Sequence, residues 1–290
     1  MPCGRAAVVV RSLRYARGNA PEQVVRLDQN GLWRCEDAAV VSQQKSGPDW
    51  YRLTLRAPAI APLVQAGQFV QVRVHPDGWI GSDPLLRRPL SVCTVHQDEL
   101  TLIYRVVGRG SFILSQRQAG EGINLLGPLG RPFPLTAAEQ CPLFLVGGGL
   151  GIPPLALAAK QTPGRRRTAI LGARSKSYLA GAEEVAATGI PVLVITEDGS
   201  SGSTGRVTDL LAKHLGPGDQ VWACGPDAML MAVSALCDRT QASCWLSIER
   251  PMACGFGVCI GCTVARQRGG FAKTCVDGPV FRSTEVNLLG

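Results

Sequence analysis

The sequence predicts a multidomain α/β-plus-β chain: an antiparallel β-barrel, a parallel α/β nucleotide-binding domain, and a small cysteine-rich C-terminal subdomain. Three observations predict it. Short period-two runs separated by turn residues fill the stretch from about Trp33 to Pro134. After Pro142, short apolar runs alternate with helix-like segments. From about Ser247, glycine and cysteine leave little room for an independent core. These shifts divide the chain into an N-terminal extension over 1–34, a barrel over 35–136, an α/β domain over 137–245 and a cysteine subdomain over 246–290.

In the first region, Trp50–Leu55, Gln68–Val74 and Leu100–Val106 alternate as half-buried strands do. Several such strands at this spacing suggest a barrel. Arg88-Pro89-Leu90-Ser91 follows a loop and precedes a strand. Its arginine can fork to a pyrophosphate and its serine hydroxyl can reach a flavin ring. A lone tetrapeptide of this kind is more often a structural strand start. It gains weight from Tyr104-Arg105 in a neighbouring strand and from Gly108-Arg109-Gly110-Ser111, which opens a helix with free amides for phosphate.

In the second region, Leu143–Val146, Arg167–Gly172, Val192–Ile195 and Gln220–Cys224 are short apolar strands. They alternate with helices expected over Pro154–Gln161, Glu183–Thr188, Asp209–Leu215 and Asp227–Thr240, a βαβ pattern. Gly147-Gly148-Gly149-Leu150-Gly151 joins the first strand to the first helix. It is not the GxGxxG fingerprint, but its glycines allow a cofactor to approach a helix N-terminus closely; the plainer reading is a tight turn. Gly172-Ala173-Arg174-Ser175 and Glu197-Asp198-Gly199 end the next strands, where nucleotides bind in such sheets. Cys224-Gly225-Pro226 ends another, and Cys224 reads equally as a thiol beside a nicotinamide or as a buried cysteine. Arg174 suits a 2′-phosphate, whereas Glu197 and Asp198 favour ribose hydroxyls, which leaves NADH and NADPH both open.

The strongest signal is Cys254-Gly-Phe-Gly-Val-Cys259-Ile-Gly-Cys262 with Cys275 further on. The first intervals match the plant-type ferredoxin spacing C-x4-C-x2-C with a distant fourth cysteine, hence a 2Fe–2S cluster. Four thiolates must converge on two irons, and Gly255, Gly257 and Gly261 let the backbone wrap closely around them. A structural zinc would normally show two paired C-x2-C knuckles.

Composition excludes several classes. Hydrophobic residues make up 46% and charged residues 18%, so the chain folds as a globular protein. Its net charge of +8 comes from scattered arginines, and with only 6% aromatics nothing resembles a nucleic-acid face. The longest uncharged stretch, Cys141 to Ala159, is broken by glycines and prolines, so no membrane span is expected. Arginines interrupt the N-terminus where a signal peptide needs an apolar run. Eleven cysteines, an odd number, fit a reducing cytoplasm rather than a disulfide framework. Cys3, Cys35, Cys93, Cys141, Cys237 and Cys244 lack ligand spacing and read as packing residues. His75, His96 and His214 lie apart without motif partners and are expected at the surface.

The order of these motifs, barrel with Arg-Pro-Leu-Ser, Gly-rich turn, Cys-Gly-Pro and cysteine cluster, resembles the ferredoxin-reductase superfamily from about Cys35 onward. Glu249-Arg250-Pro251-Met252-Ala253-Cys254-Gly255 and the cysteine intervals resemble the electron-transfer subunits of type B dihydroorotate dehydrogenases. The resemblance implies FAD at Arg88–Ser91, Ile103–Arg105 and Gly110–Ser111, and NAD(H) in the α/β domain. It also implies an FMN-containing dihydroorotate dehydrogenase catalytic subunit as partner, in a heterotetramer of pyrimidine biosynthesis.

The chemistry accounts for the parts independently. A nicotinamide gives two electrons together and a 2Fe–2S centre takes one, so a flavin belongs between them. No histidine triad or carboxylate pair is present, which places the substrate chemistry in another chain. Two other readings remain at this stage: a related reductase subunit serving ferredoxin, sulfide or hydrogenase chemistry, and a non-catalytic flavin/iron–sulfur redox sensor.

Overall fold

The computed structural model of the protein describes residues 23–26, 32–75, 81, 83–136 and 141–288. In its first part the strands are β1 (Gln23–Arg26), β2 (Leu32–Lys45), β3 (Trp50–Arg56), β4 (Phe69–Val72), β5 (Arg88–His96), β6 (Glu99–Arg105) and β7 (Gly122–Leu129). They hydrogen-bond in the order β1-β2-β3-β6-β5-β4-β7, and a further β2–β7 pairing closes six of them into an antiparallel barrel. The alternation seen in the sequence is what fills it: Leu53 and Leu55 are fully buried, while Arg52, Thr54 and Arg56 between and beyond them keep partial exposure. β2 reaches both neighbours because it is long and shifts register between Val40 and Ser42, where such an irregularity bends a strand. Helix α1 (Arg109–Ser115) connects β6 to β7.

The second sheet contains β8 (Leu143–Gly148), β9 (Arg167–Ala173), β10 (Val192–Thr196), β11 (Ser203–Thr204), β12 (Gln220–Cys224) and β13 (Ser243–Ser247). All their pairings are parallel, in the order β11-β10-β9-β8-β12-β13. Helices α2 (Pro154–Lys160), α3 (Ala182–Ala186), α4 (Val207–His214) and α5 (Asp227–Thr240) lie between the strands in sequence. The strand order reverses at β8, so the glycine-rich turn after it sits at the switch point where such sheets bind ligands.

Beyond the cysteine loop, β14 (Thr263–Arg266), β15 (Phe271–Lys273) and the short β17 (Val286–Asn287) form a small sheet of their own. Between them β16 (Val280–Arg282) leaves that sheet and pairs antiparallel with β13. The C-terminal segment is therefore stitched into the edge of the parallel sheet.

One continuous core runs from the barrel into the parallel sheet. Helix α2 explains how: Pro154 to Ala159 are all buried, because the helix is covered by barrel strand β5 as well as by its own sheet. A helix apolar on every side needs that double cover. Its C-terminal end is tied down by Lys160 Nζ donating to the Val95 carbonyl at 2.8 Å and Gln161 Nε2 donating to the Val64 carbonyl at 3.0 Å. Phe133 stacks on Trp222 of β12 with centroids 4.8 Å apart and planes 5° from parallel.

Three expectations meet the structure unevenly. Cys3 and most of the extension over 1–34 lie outside the described residues, although β1 pairs with β2. His75 is buried rather than superficial, because Nε2 finds the Pro84 carbonyl oxygen at 2.8 Å and so keeps a polar partner. Among the described residues, no helix is long and apolar enough to cross a membrane. Phe133→Ala is expected to lower the unfolding free energy by about 3–5 kcal/mol through the cavity it leaves in the shared core. A denaturant midpoint unchanged from that of the parent protein would show that this stack does not hold the two units together.

Candidate functional site

Strand pairing gathers the first group of residues. β5 and β6 are neighbours and α1 follows β6, so Arg88, Pro89, Leu90, Ser91, Ile103, Tyr104, Arg105, Gly110 and Ser111 all line one cavity of about 490 Å³. The Arg88 guanidinium lies against the Gly110 backbone; a Cβ there would fall 2.5 Å from Nε. A charged fork and a bare peptide at one place suit a phosphate-bearing group. Ser111 also fixes the start of the helix: its Oγ accepts from the amides of Val107 at 2.9 Å and Gly108 at 3.2 Å. Tyr104 is buried, its hydroxyl accepts from Gln43 Nε2 at 2.7 Å, and burial first of all pushes its pKa up.

The same cavity is also lined by Ser247, Ile248, Glu249, Arg250, Pro251 and Met252, at and just past the end of β13. Sequence reasoning did not give these residues a lining role. The signal was available, since this too is the C-terminal end of a parallel strand.

A second cavity, about 680 Å³, opens at the C-terminal ends of β8, β9, β10 and β12. Gly148, Gly149, Gly151, Arg174, Glu197, Gly225 and Pro226 line it, with Arg206, Thr208 and Met229 as additions that sequence reasoning missed. Gly147, Ser175, Asp198 and Cys224 are not part of its lining. Gly147 belongs to the buried end of β8. Ser175 Oγ is 2.9 Å from Ser177 Oγ. Asp198 accepts from Ser200 Oγ at 2.6 Å and from its amide at 2.9 Å, bonds that draw its pKa down. Cys224 is buried beneath the cavity with its carbonyl packed on Gly151. Burial, then the charge of Glu249, push its thiol up to about 12, so it stays protonated at neutral pH.

The two cavities share Arg105, Leu150 and Glu249. Burial and then the Asp227 charge push the Glu249 carboxyl up, which makes it a group able to hold a proton where the cavities meet. Arg250 NH1 anchors the same segment to Asp227 at 3.0 Å.

The four cysteines stand in two pairs. Cys254 and Cys259 have their Sγ atoms 3.4 Å apart, and Cys262 and Cys275 theirs 3.2 Å apart. Two pairs fit a two-iron centre, in which each iron takes two thiolates. Among the described residues, no three His, Cys, Asp or Glu side chains converge on one metal position. The pairs differ in surroundings. Cys262 and Cys275 are buried with Phe69, Leu126 and Leu129 of the barrel. Burial first, then Cys262, push the Cys275 thiol up to about 12. At Cys254 burial also opposes ionisation, but hydrogen bonds led by the Cys259 and Phe256 amides outweigh it and bring the pKa down to about 7. Amides that stabilise a thiolate there also suit a cluster's sulfurs.

This arrangement is that of a ferredoxin-reductase-like oxidoreductase carrying an added iron–sulfur segment. Among solved structures, a chain of the NADH-dependent reduced ferredoxin-NADP oxidoreductase is 31% identical with a TM-score of 0.76, over 87% of this chain and 90% of that one. A ferredoxin NADP+ reductase from Neisseria gonorrhoeae shares the fold at 16% identity and TM-score 0.60, over 74% of this chain and 99% of that one. The iron-sulfur cluster binding domain of dihydroorotate dehydrogenase B matches residues 249–287. The electron transfer subunit of dihydroorotate dehydrogenase B (NAD(+)) from Geobacillus kaustophilus (strain HTA426) is 41% identical over 260 residues, 87% of this chain and 98% of that protein. Its counterpart from Bacillus mycoides (strain KBAB4) is 37% identical over 262 residues, with 87% and 98% covered. The chain belongs to the family of dihydroorotate dehydrogenase B electron transfer subunits.

Cys259→Ser is expected to remove the EPR signal of the reduced cluster and lower bound iron, because a hard oxygen ligand replaces a soft thiolate. Retention of the full signal in a folded variant would take Cys259 out of the ligand set.

Proposed function

We propose that the chain carries electrons between NAD(H) and an FMN-containing dihydroorotate dehydrogenase catalytic subunit, with FAD in the barrel cavity and a 2Fe–2S cluster on Cys254, Cys259, Cys262 and Cys275. The two chains form a heterotetramer in the cytoplasm, where the free Cys93, Cys237 and Cys244 stay reduced. The observation that carries this reading is convergence. The two cavities share three residues, and the segment that walls the first continues from Met252 into the cysteine loop.

Bound in these places, a flavin supplies exchange between two-electron and one-electron chemistry, and the cluster supplies one-electron storage. The chain's own residues bind, orient and shield. Arg88 and the Gly110 backbone hold the FAD pyrophosphate, while Pro89, Leu90, Ser91, Ile103, Tyr104 and Arg105 wall the rest of its site. Gly148, Gly149 and Gly151 bring the nucleotide close to the sheet, with Arg174, Glu197, Gly225 and Pro226 around it. Glu249 stands at the junction of the two cavities, where burial pushes its carboxyl pKa up. On the outer side, Val258 and Ile260 flank Cys259 and are each 77% exposed, an apolar edge suited to burial under a partner.

Arg88→Ala should reduce FAD affinity about ten- to hundredfold through loss of one charge-assisted contact, with bound iron unchanged. Full flavin retention after extensive dialysis would remove Arg88 from the site. Purified alone, the protein should pass electrons from NADH to artificial acceptors without oxidising dihydroorotate. Mixed with the FMN-containing subunit of the same source, it should confer NAD-linked dihydroorotate oxidation and bury at least about 1,000 Å² in total. Failure of the mixture both to associate and to gain this activity would refute the partner assignment and leave the flavin and iron–sulfur sites standing.

A further inference from the structure

Strand β4 has two faces. Val70 and Val72 enter the barrel core, whereas Phe69 packs outward with Leu126, Leu129, Cys262 and Cys275. Gln71, two residues on from Phe69, shares that outward face. It is 0% exposed, and neither its Nε2 nor its Oε1 has a hydrogen-bond partner. Its neighbours across the strands are Pro89 of β5, in the wall of the flavin cavity, and Leu126 of β7, beside the buried thiol pair.

A primary amide buried among such groups with no partner carries a substantial desolvation penalty. Sequences seldom keep that cost unless something satisfies the amide. What faces the amide here is the cysteine loop. At Gly255, the residue after Cys254, a Cβ would fall 2.6 Å from Gln71 Nε2 and 2.7 Å from its Cγ. Gly255 also has φ +81°, so both conformation and space demand glycine, and the loop backbone lies directly on the carboxamide. The amide turns its NH2 group, a donor, to this place. Cluster sulfurs are acceptors without donors of their own, and the surrounding Phe69, Leu126 and Leu129 offer them nothing.

We propose that Gln71 is a positioning residue for the iron–sulfur centre: its side-chain amide donates a hydrogen bond to a cluster sulfur on the Cys254 side. It thereby seats the loop on the barrel and raises the cluster's reduction potential. A donor to sulfur favours the reduced centre, which carries the additional negative charge. This inference rests on the iron–sulfur reading above.

The test is an anaerobic, EPR-monitored redox titration of the holoprotein with Gln71→Met, which keeps the shape, and Gln71→Leu. Loaded variants should show a cluster reduced-to-oxidised ratio about tenfold lower at any fixed potential, about 59 mV for a one-electron couple, with the flavin couple unmoved. An unchanged cluster couple, or a shift in the flavin couple alone, overturns the assignment. If neither variant retains iron, pulsed EPR on the reduced parent protein with 15N in its glutamine side chains decides. A 15N coupling to the cluster supports the contact, and its absence overturns it. A parent protein that binds no iron and sulfide at all would instead remove the iron–sulfur reading itself.

Discussion

The cysteine loop has almost no core of its own, and the barrel lends it one. Phe69, Leu126 and Leu129 close over Cys262 and Cys275, with Met252, Phe256 and Val276 packed around them. That contact makes the two thiol pairs unequal. Of the inner pair, the Cys275 thiol sits in surroundings that oppose its ionisation, so metal binding must supply what burial takes away. The outer pair faces amides and lies nearer to solvent. Seating the loop this way round also determines which edge is presented outward, the one that carries Val258 and Ile260.

Both ends of the loop are clamped to the same place. β13 leads into it and β16 returns beside β13, with the Ile248 amide donating to the Pro279 carbonyl at 2.9 Å. The Arg131 amide donates to the Gly278 carbonyl at 2.5 Å and ties the return to the end of the barrel. Between these clamps the chain must pass the mouth of both cavities. That is why Glu249, two residues past the end of β13, stands where the cavities meet.

Periodicity made the elements legible. Trp50–Leu55 and Leu100–Val106 became β3 and β6 with shifts of a residue, and Asp227–Thr240 is α5 to the residue. Cysteine spacing carried the cluster, and Arg-Pro-Leu-Ser with Gly110 and Ser111 carried one whole side of the barrel cavity. Contacts between distant segments were not legible. Nothing local marks Gln71 as facing Gly255, because a polar residue in an alternating strand reads as a solvent-facing one until the C-terminal loop is laid over it. Cys224 shows the converse: a strand-end position suggested the cavity, but the backbone there faces Gly151 and buries the thiol. His75 was misread for a similar reason, since its partner is a backbone carbonyl that leaves no mark in composition.

The division into barrel and sheet describes topology better than it describes the sites. The barrel cavity takes Leu150 and Pro154 from the α/β unit and Ser247 to Met252 from the segment beyond β13. The second cavity takes Trp50 and Arg105 from the barrel. Neither site is complete on one unit, so the angle between them sets every distance along the electron path. Electron transfer weakens steeply with distance, and a loose hinge would degrade it even with every cofactor bound. The structure answers with a shared core instead of a linker. α2 is buried between β5 and β8, Phe133 lies flat on Trp222, and Lys160 and Gln161 reach the backbone of the opposite unit. Phe133, Trp222, Lys160 and Gln161 touch neither cavity, yet they set the spacing on which transfer between the sites depends.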